Sequence, residues 1–175
     1  MLPATLLQEL PHDFAIAVRT SLNNHHKAYH VMDIFHHPGV CLSLQKTSHN
    51  LRRYLHNSGI NTNKLHIIDP LSKVIGSVLE SENTTHVAYN LNHMVEASEK
   101  RLQMLPIKQR FMIIDGIEAL PLVYSQEKMH PFLKTMNAKM KLHHAKGIFV
   151  YDKEKLHPQH AAIVHKLVDK VVEMK

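Results

Sequence analysis

Phe111-Met112-Ile113-Ile114-Asp115-Gly116 places four apolar residues before a carboxylate and a glycine. A short continuous apolar run reads as a strand buried on both faces, and it delivers Asp115 to the carboxyl edge of a sheet. In open α/β proteins that edge is where ligands, phosphates and magnesium among them, are held. Yet no Gly-x-x-x-x-Gly-Lys-Ser/Thr loop occurs in the 175 residues to cradle a phosphate. The fold signal and the chemistry signal point in different directions.

Upstream of this strand the chain alternates. Residues 13–18, following Leu10-Pro11, read as a first strand. Ser21 or Asn24 is placed to cap a helix whose face carries Ala28, Val31, Met32 and Phe35. Pro38-Gly39 ends that unit before a strand over 40–44. Thr47 or Ser48 caps a helix with Leu51, Tyr54 and Leu55 inward, stopped by Asn57-Ser58-Gly59. Residues 65–69 form a third strand closed by Pro70, with Asp69 placed to accept backbone donors in the turn. After an irregular or short helical stretch, a long helix is predicted from about Thr84 to Leu105, ended by Pro106.

Downstream, after a turn at Leu120-Pro121, Met129, Phe132, Leu133, Met136 and Met140 share one helical side, a stripe that reads as core packing. Residues 147–151 form a fifth strand. His157-Pro158 opens a last packing helix over about 158–173, with Val164, Leu167, Val168, Val171 and Val172 inward. Apolar strands separated by one-sided helices predict one α/β domain over 1–175. Its architecture is a three-layer, doubly wound sandwich with a mainly parallel five-stranded sheet.

Composition narrows the function. An apolar share of 44% excludes global disorder. The formal charge of +6 comes from dispersed residues, Arg52-Arg53 and Lys100-Arg101 being only short pairs. No basic stripe interleaves with aromatics, which argues against nucleic acid. Cys41 is the sole cysteine, so no internal disulfide forms, and its apolar setting reads as a buried small residue. The first seven residues lack the basic stretch and long apolar core of a signal peptide, and no run reaches about 18 apolar residues. A cytoplasmic location without membrane insertion is expected. The 17 histidines include His25-His26, His36-His37 and His143-His144. Helical neighbours diverge, so no pair is arranged to share a metal; surface imidazoles are expected, and no metal site.

Three segments carry a resemblance in their order along the chain. They are Val40-Cys41-Leu42-Ser43-Leu44, the stretch Ser58-Gly59-Ile60-Asn61-Thr62-Asn63-Lys64 leading into residues 65–69, and Phe111 through Leu120. Over about residues 12–151 the chain resembles the archaeal and bacterial RecA/KaiC-like ATPases. The resemblance implies a RecA-like, P-loop NTPase-like sandwich with strand order 3-2-4-5-1. Residues 111–115 match the Walker B strand, whose Asp115 would act through metal-bound water. The region matching Walker A, Phe14 to Asn24, has neither glycine nor lysine in its turn. Acids that orient attacking water in the family follow the stretch matching Leu42-Ser43-Leu44; here Gln45-Lys46 stands there.

Glycines let successive N–H groups converge on phosphate oxygens, and the loop lysine neutralises charge. Both are missing, and glutamine takes no proton. The chain therefore reads as a non-catalytic RecA/KaiC-like regulatory or protein-interaction domain, without a cofactor. Its partner would be an unidentified protein or a second copy. The alternative is a nucleotide or phosphorylated-ligand sensor without efficient hydrolysis, using Arg19, Thr20, Ser21 and Asp115. Asp115 otherwise reads as a strand-end acid capping the turn at Gly116. Glu118 receives no role from spacing alone.

Overall fold

Among the described residues the chain forms seven strands, two more than expected, five of them on apolar runs. In a computed structural model describing residues 13–21, 24–30, 37–107 and 110–174, the strands are β1 (Ala15–Thr20), β2 (Gly39–Ser43), β3 (Leu65–Asp69), β4 (Thr84–His86), β5 (Phe111–Asp115), β6 (Lys146–Asp152) and β7 (Lys170–Glu173). They form one sheet ordered β4-β3-β2-β5-β6-β1-β7. Every pairing is parallel. The inner run β3-β2-β5-β6-β1 is the strand order that the family resemblance implied.

The helices are α1 (His26–Tyr29), α2 (Ser48–Asn57), α3 (Leu71–Val74), α4 (Leu91–Gln103), α5 (Leu120–Val123), α6 (Gln126–Leu142) and α7 (Pro158–His165). One face of the sheet packs on α4, α6 and α7, with Met94, Leu102, Phe132, Met136, Met140 and Val164 in its core. The other packs on α1 and α2 through Tyr29, Leu51 and Leu55. Every residue of β2, β3 and β5 is buried, which explains why those strands are almost wholly apolar. The methionine stripe of α6 is core, as its spacing indicates.

Two predicted helices are corrected. The last one stops at His165, and the chain then turns out to the sheet edge. Asp169 causes this: its carboxylate accepts from the Ala15 N–H at 2.8 Å, and its own N–H donates to the Ala15 carbonyl at 2.8 Å. Val171 and Val172 thus sit in β7, where flanking Lys170 and Glu173 blunt an open edge. The helix expected from Thr84 begins instead at Leu91, because Asn90 Oδ1 caps it by accepting from the N–H groups of Asn92 and His93. Thr84–His86 pairs with β3.

The residue before α1 is His25, whose side chain makes no cap bond, and not Ser21 or Asn24, but several other boundary signals act as read. Thr47 Oγ1 accepts from Asn50 N–H, and Gly59 takes φ +76° after α2. His157 caps α7, with Pro158 in its first turn. The positions Val31, Met32 and Phe35 and the amino-terminal stretch 1–12 lie outside the described residues. No helix among the described residues is long and apolar enough to cross a membrane.

Candidate functional site

Strand alternation decides which polar groups meet. In β5, Phe111 and Ile113 belong to the core under α1 and α2, and Met112 and Ile114 to the opposite core. Asp115 therefore falls on the α1–α2 face. Register places Ser43 beside Asp115 and Thr20 beside Asp152. The same alternation brings all four to one face, at the carboxyl ends of β1, β2, β5 and β6.

Asp115 is 1% exposed. The Tyr29 hydroxyl donates to its Oδ2 at 2.8 Å. Lys46 Nζ lies 3.8 Å from the same oxygen, and His25 Nδ1 lies 3.4 Å from Oδ1. Burial opposes ionisation, but His25, Lys46 and Tyr29 outweigh it and hold the carboxyl below the usual carboxylate range. Burial, and then the Asp115 charge, push the Tyr29 phenol well up and the Cys41 thiol likewise. Cys41 is fully buried and its Sγ lies 3.4 Å from the Tyr29 hydroxyl.

The chain leaves β5 through Gly116, at φ +84°. A Cβ here would meet Gln45 Cγ at 2.6 Å, so both the conformation and the close approach require glycine. A single 3₁₀ turn, Ile117–Ala119, then tucks Glu118 back beneath the strand ends, 5% exposed. Glu118 Oε1 is 3.9 Å from His25 Nε2. Burial pushes the Glu118 carboxyl up. Asp152, ending β6, is 1% exposed; its Oδ1 accepts from the Glu154 N–H at 2.9 Å.

Asp69, ending β3, makes the contrast. Its oxygens accept from the Ser48 N–H (2.6 Å), the Ser72 N–H (2.9 Å) and the Ser72 hydroxyl (2.6 Å). Burial again opposes ionisation, yet these donors hold its carboxyl low. Asp69 thus fastens the starts of α2 and α3 to the sheet, the turn role its sequence setting suggested. Around Asp115 the accounting stays open. Both His25 ring nitrogens, both Glu118 oxygens, Asp115 Oδ1 and Asp152 Oδ2 have no hydrogen-bond partner among the described residues.

No protein-family model matches the chain, and no curated protein sequence matches it. Among solved structures it is similar to the KaiC-like protein PH0186 of the hyperthermophilic archaeon Pyrococcus horikoshii OT3. That likeness has a TM-score of 0.65 and 15% identity, over 95% of this chain and 74% of the other. It is also similar to PH0250 of the same organism, at a TM-score of 0.68 and 9% identity, over 100% of this chain and 88% of that one. The fold is RecA/KaiC-like.

On this RecA/KaiC-like frame the four residues of the sensor alternative do not converge. Thr20 shares a face and an edge with Asp115, but it is fully buried and its hydroxyl donates to the Ser21 carbonyl at 2.9 Å. Ser21 Oγ accepts from the Asn24 side chain at 3.1 Å. Arg19 falls on the opposite face, where its Nε is 3.7 Å from Glu173 of β7. Leu22 and Asn23, within the stretch matched to the phosphate loop, lie outside the described residues. Beside the sealed carboxylates opens a groove of about 690 Å³, lined by Leu44, Val74, Tyr89, Glu118, Leu122 and Val123 among others. At its rim Leu122 is 84% exposed and Val74 61%.

Sequence reading missed His25 and Glu118. His25 is 1% exposed, not a surface imidazole. The one signal in the sequence was Gly116 itself, which permits the positive φ that turns the next acid back toward the sheet.

Proposed function

We propose that this chain is a non-catalytic RecA/KaiC-like domain that works by protein association. The observation that carries this reading is the sealing of Asp115, which is 1% exposed and held by Tyr29 and Lys46. A Walker B acid must face a metal-bound water beside the nucleotide. Here its Oδ2 already serves a phenol and an ammonium. Lys46 also stands where the family resemblance places a water-orienting acid, and a cation takes no proton from water.

The apolar groove beside this seal supplies the interaction surface. Leu122, Val123 and Val74 are large apolar side chains that line the groove and stay exposed to water. Such grouped exposure suits an apolar segment of a partner chain, a second copy included. Melting curves in ATP, ADP or inorganic phosphate with magnesium should coincide with the apo curve. Sedimentation or co-purification should reveal an association that Leu122→Asp abolishes. Saturable stabilisation by a nucleotide, lost in Asp115→Asn, would overturn the reading and favour a nucleotide sensor. A chain that stays monomeric at all concentrations and retains no partner counts equally against it.

A further inference from the structure

We propose that His25, Glu118 and Asp152 bind one divalent first-row transition cation, of zinc or manganese type, where β1, β5 and β6 end. The inference is independent of the protein-association reading: Glu118 borders the same groove, but the three ligands are buried side chains at the strand ends and not its exposed apolar residues.

The three side chains reach the point from separate parts of the chain: the turn after β1, the 3₁₀ turn after β5, and the last residue of β6. One ligand atom from each lies within 4.8 Å of the others. Two ligands about 2.1 Å from a tetrahedral ion sit about 3.4 Å apart. The 3.9 Å between His25 Nε2 and Glu118 Oε1 therefore needs only a slight contraction. One imidazole nitrogen with two carboxylate oxygens suits zinc or manganese better than a wholly oxygen-ligated magnesium.

The second, independent observation is the state of those atoms. His25 and Asp152 are each 1% exposed and Glu118 is 5% exposed. Among the described residues His25 Nε2, the Glu118 oxygens and Asp152 Oδ2 make no hydrogen bond, and His25 Nε2 stands 3.9 Å from Glu118 Oε1. Buried polar groups are normally paired, and buried charges are paired or bound to metal. The nearby Asp69 shows that this chain satisfies a strand-end acid with serine and backbone donors where no ion is needed. Among the described residues Lys46 pairs with Asp115, and the group set against Glu118 is His25 Nε2 at 3.9 Å.

The outer contacts also fit a metal site. Asp115 Oδ1 faces His25 Nδ1 at 3.4 Å, so the carboxylate can hold the Nδ1–H and leave the Nε2 lone pair toward Glu118. Carboxylate–histidine–metal relays of this form fix the ligating tautomer. The Glu154 N–H holds Asp152 Oδ1, leaving Oδ2 for the ion. Glu118 borders the groove, which gives an ion its approach from solvent. The ion would clamp the turn after β1 onto the ends of β5 and β6.

The test uses the full chain, stripped with a chelator and titrated with zinc chloride in equilibrium dialysis, with metal read by emission spectrometry. One tightly bound equivalent is expected. Glu118→Gln and Asp152→Asn should weaken it by about 10-fold or more, and Asp115→Asn should weaken it through the imidazole by about 10-fold. The double variant His143→Asn, His144→Asn should retain the equivalent, separating it from surface histidines. No bound equivalent in the wild type, or binding unchanged in both carboxylate variants, overturns the proposal. Should those variants fail to fold, manganese added to the wild type decides by paramagnetic broadening of amide signals. Broadening centred on 115–118 and 150–153 supports the site; broadening centred on surface histidines overturns it.

Discussion

Tyr29→Phe removes one oxygen, and that oxygen donates at 2.8 Å to a carboxylate with 1% exposure. A hydrogen bond to a charged group contributes about 1.5–3 kcal/mol, against about 1 kcal/mol for a neutral pair. The phenylalanine ring keeps the packing against the α1–α2 core, so the loss should be almost wholly polar. We expect urea denaturation to report about 2 kcal/mol of destabilisation, with a melting point about 4–8 °C lower for a chain of this size. Tyr124→Phe is the neutral control, because that hydroxyl donates at 2.6 Å to the Tyr89 carbonyl; its cost should be about 1 kcal/mol. In an Asp115→Asn background the acceptor is neutral, and Tyr29→Phe should then cost about 1 kcal/mol less than in the wild type. If Tyr29→Phe costs no more than Tyr124→Phe, or the cycle shows no coupling, Asp115 is not held as a buried anion.

Three further outcomes follow from the same packing. His66 is 7% exposed, with Arg101 donating to its Nδ1 at 2.9 Å and Thr85 Oγ1 2.8 Å from its Nε2. Burial first, then the Arg101 and Arg52 charges, lower its pKa from 6.5 to about 4. The unfolded chain takes the proton first, so this stability is whole above the unfolded value and is lost as pH falls toward the folded one. Urea titrations at neutral pH and at about pH 5 should differ by at most about 2 kcal/mol more in the wild type than in His66→Gln; equal pH dependence refutes the shift. Gly39→Ala would set a Cβ 2.1 Å from the buried Phe111 ring and should cost about 1–3 kcal/mol, partly recovered by Phe111→Leu, as read from melting curves. Cys41, buried and with its thiol pKa raised, should react with a disulfide reagent only at the rate of unfolding; rapid native-state labelling would contradict its burial.

Some of this was legible from local chemistry. β5 announced itself because a strand buried on both faces must be apolar at consecutive positions. The α6 stripe, the Thr47 and His157 caps and the stop at Gly59 all act within a few residues. β4 and β7 did not show. Three residues of Thr-Thr-His carry no period, and Val171-Val172 continues a helical spacing that breaks only because Asp169 finds the backbone of Ala15, 154 residues away.

The residue order alone determined the alternating α/β plan, the arrival of an acid at a strand end, and the missing glycines and lysine of a phosphate loop. Each is a matter of period, composition or a contiguous motif. Only the tertiary structure decided what that acid meets. Residues 25, 46, 115, 118 and 152 come together through parallel crossovers, and no spacing along the chain encodes a register between distant strands. Burial then brought one histidine of an adjacent pair, His25, together with Glu118, a glutamate to which spacing gave no role.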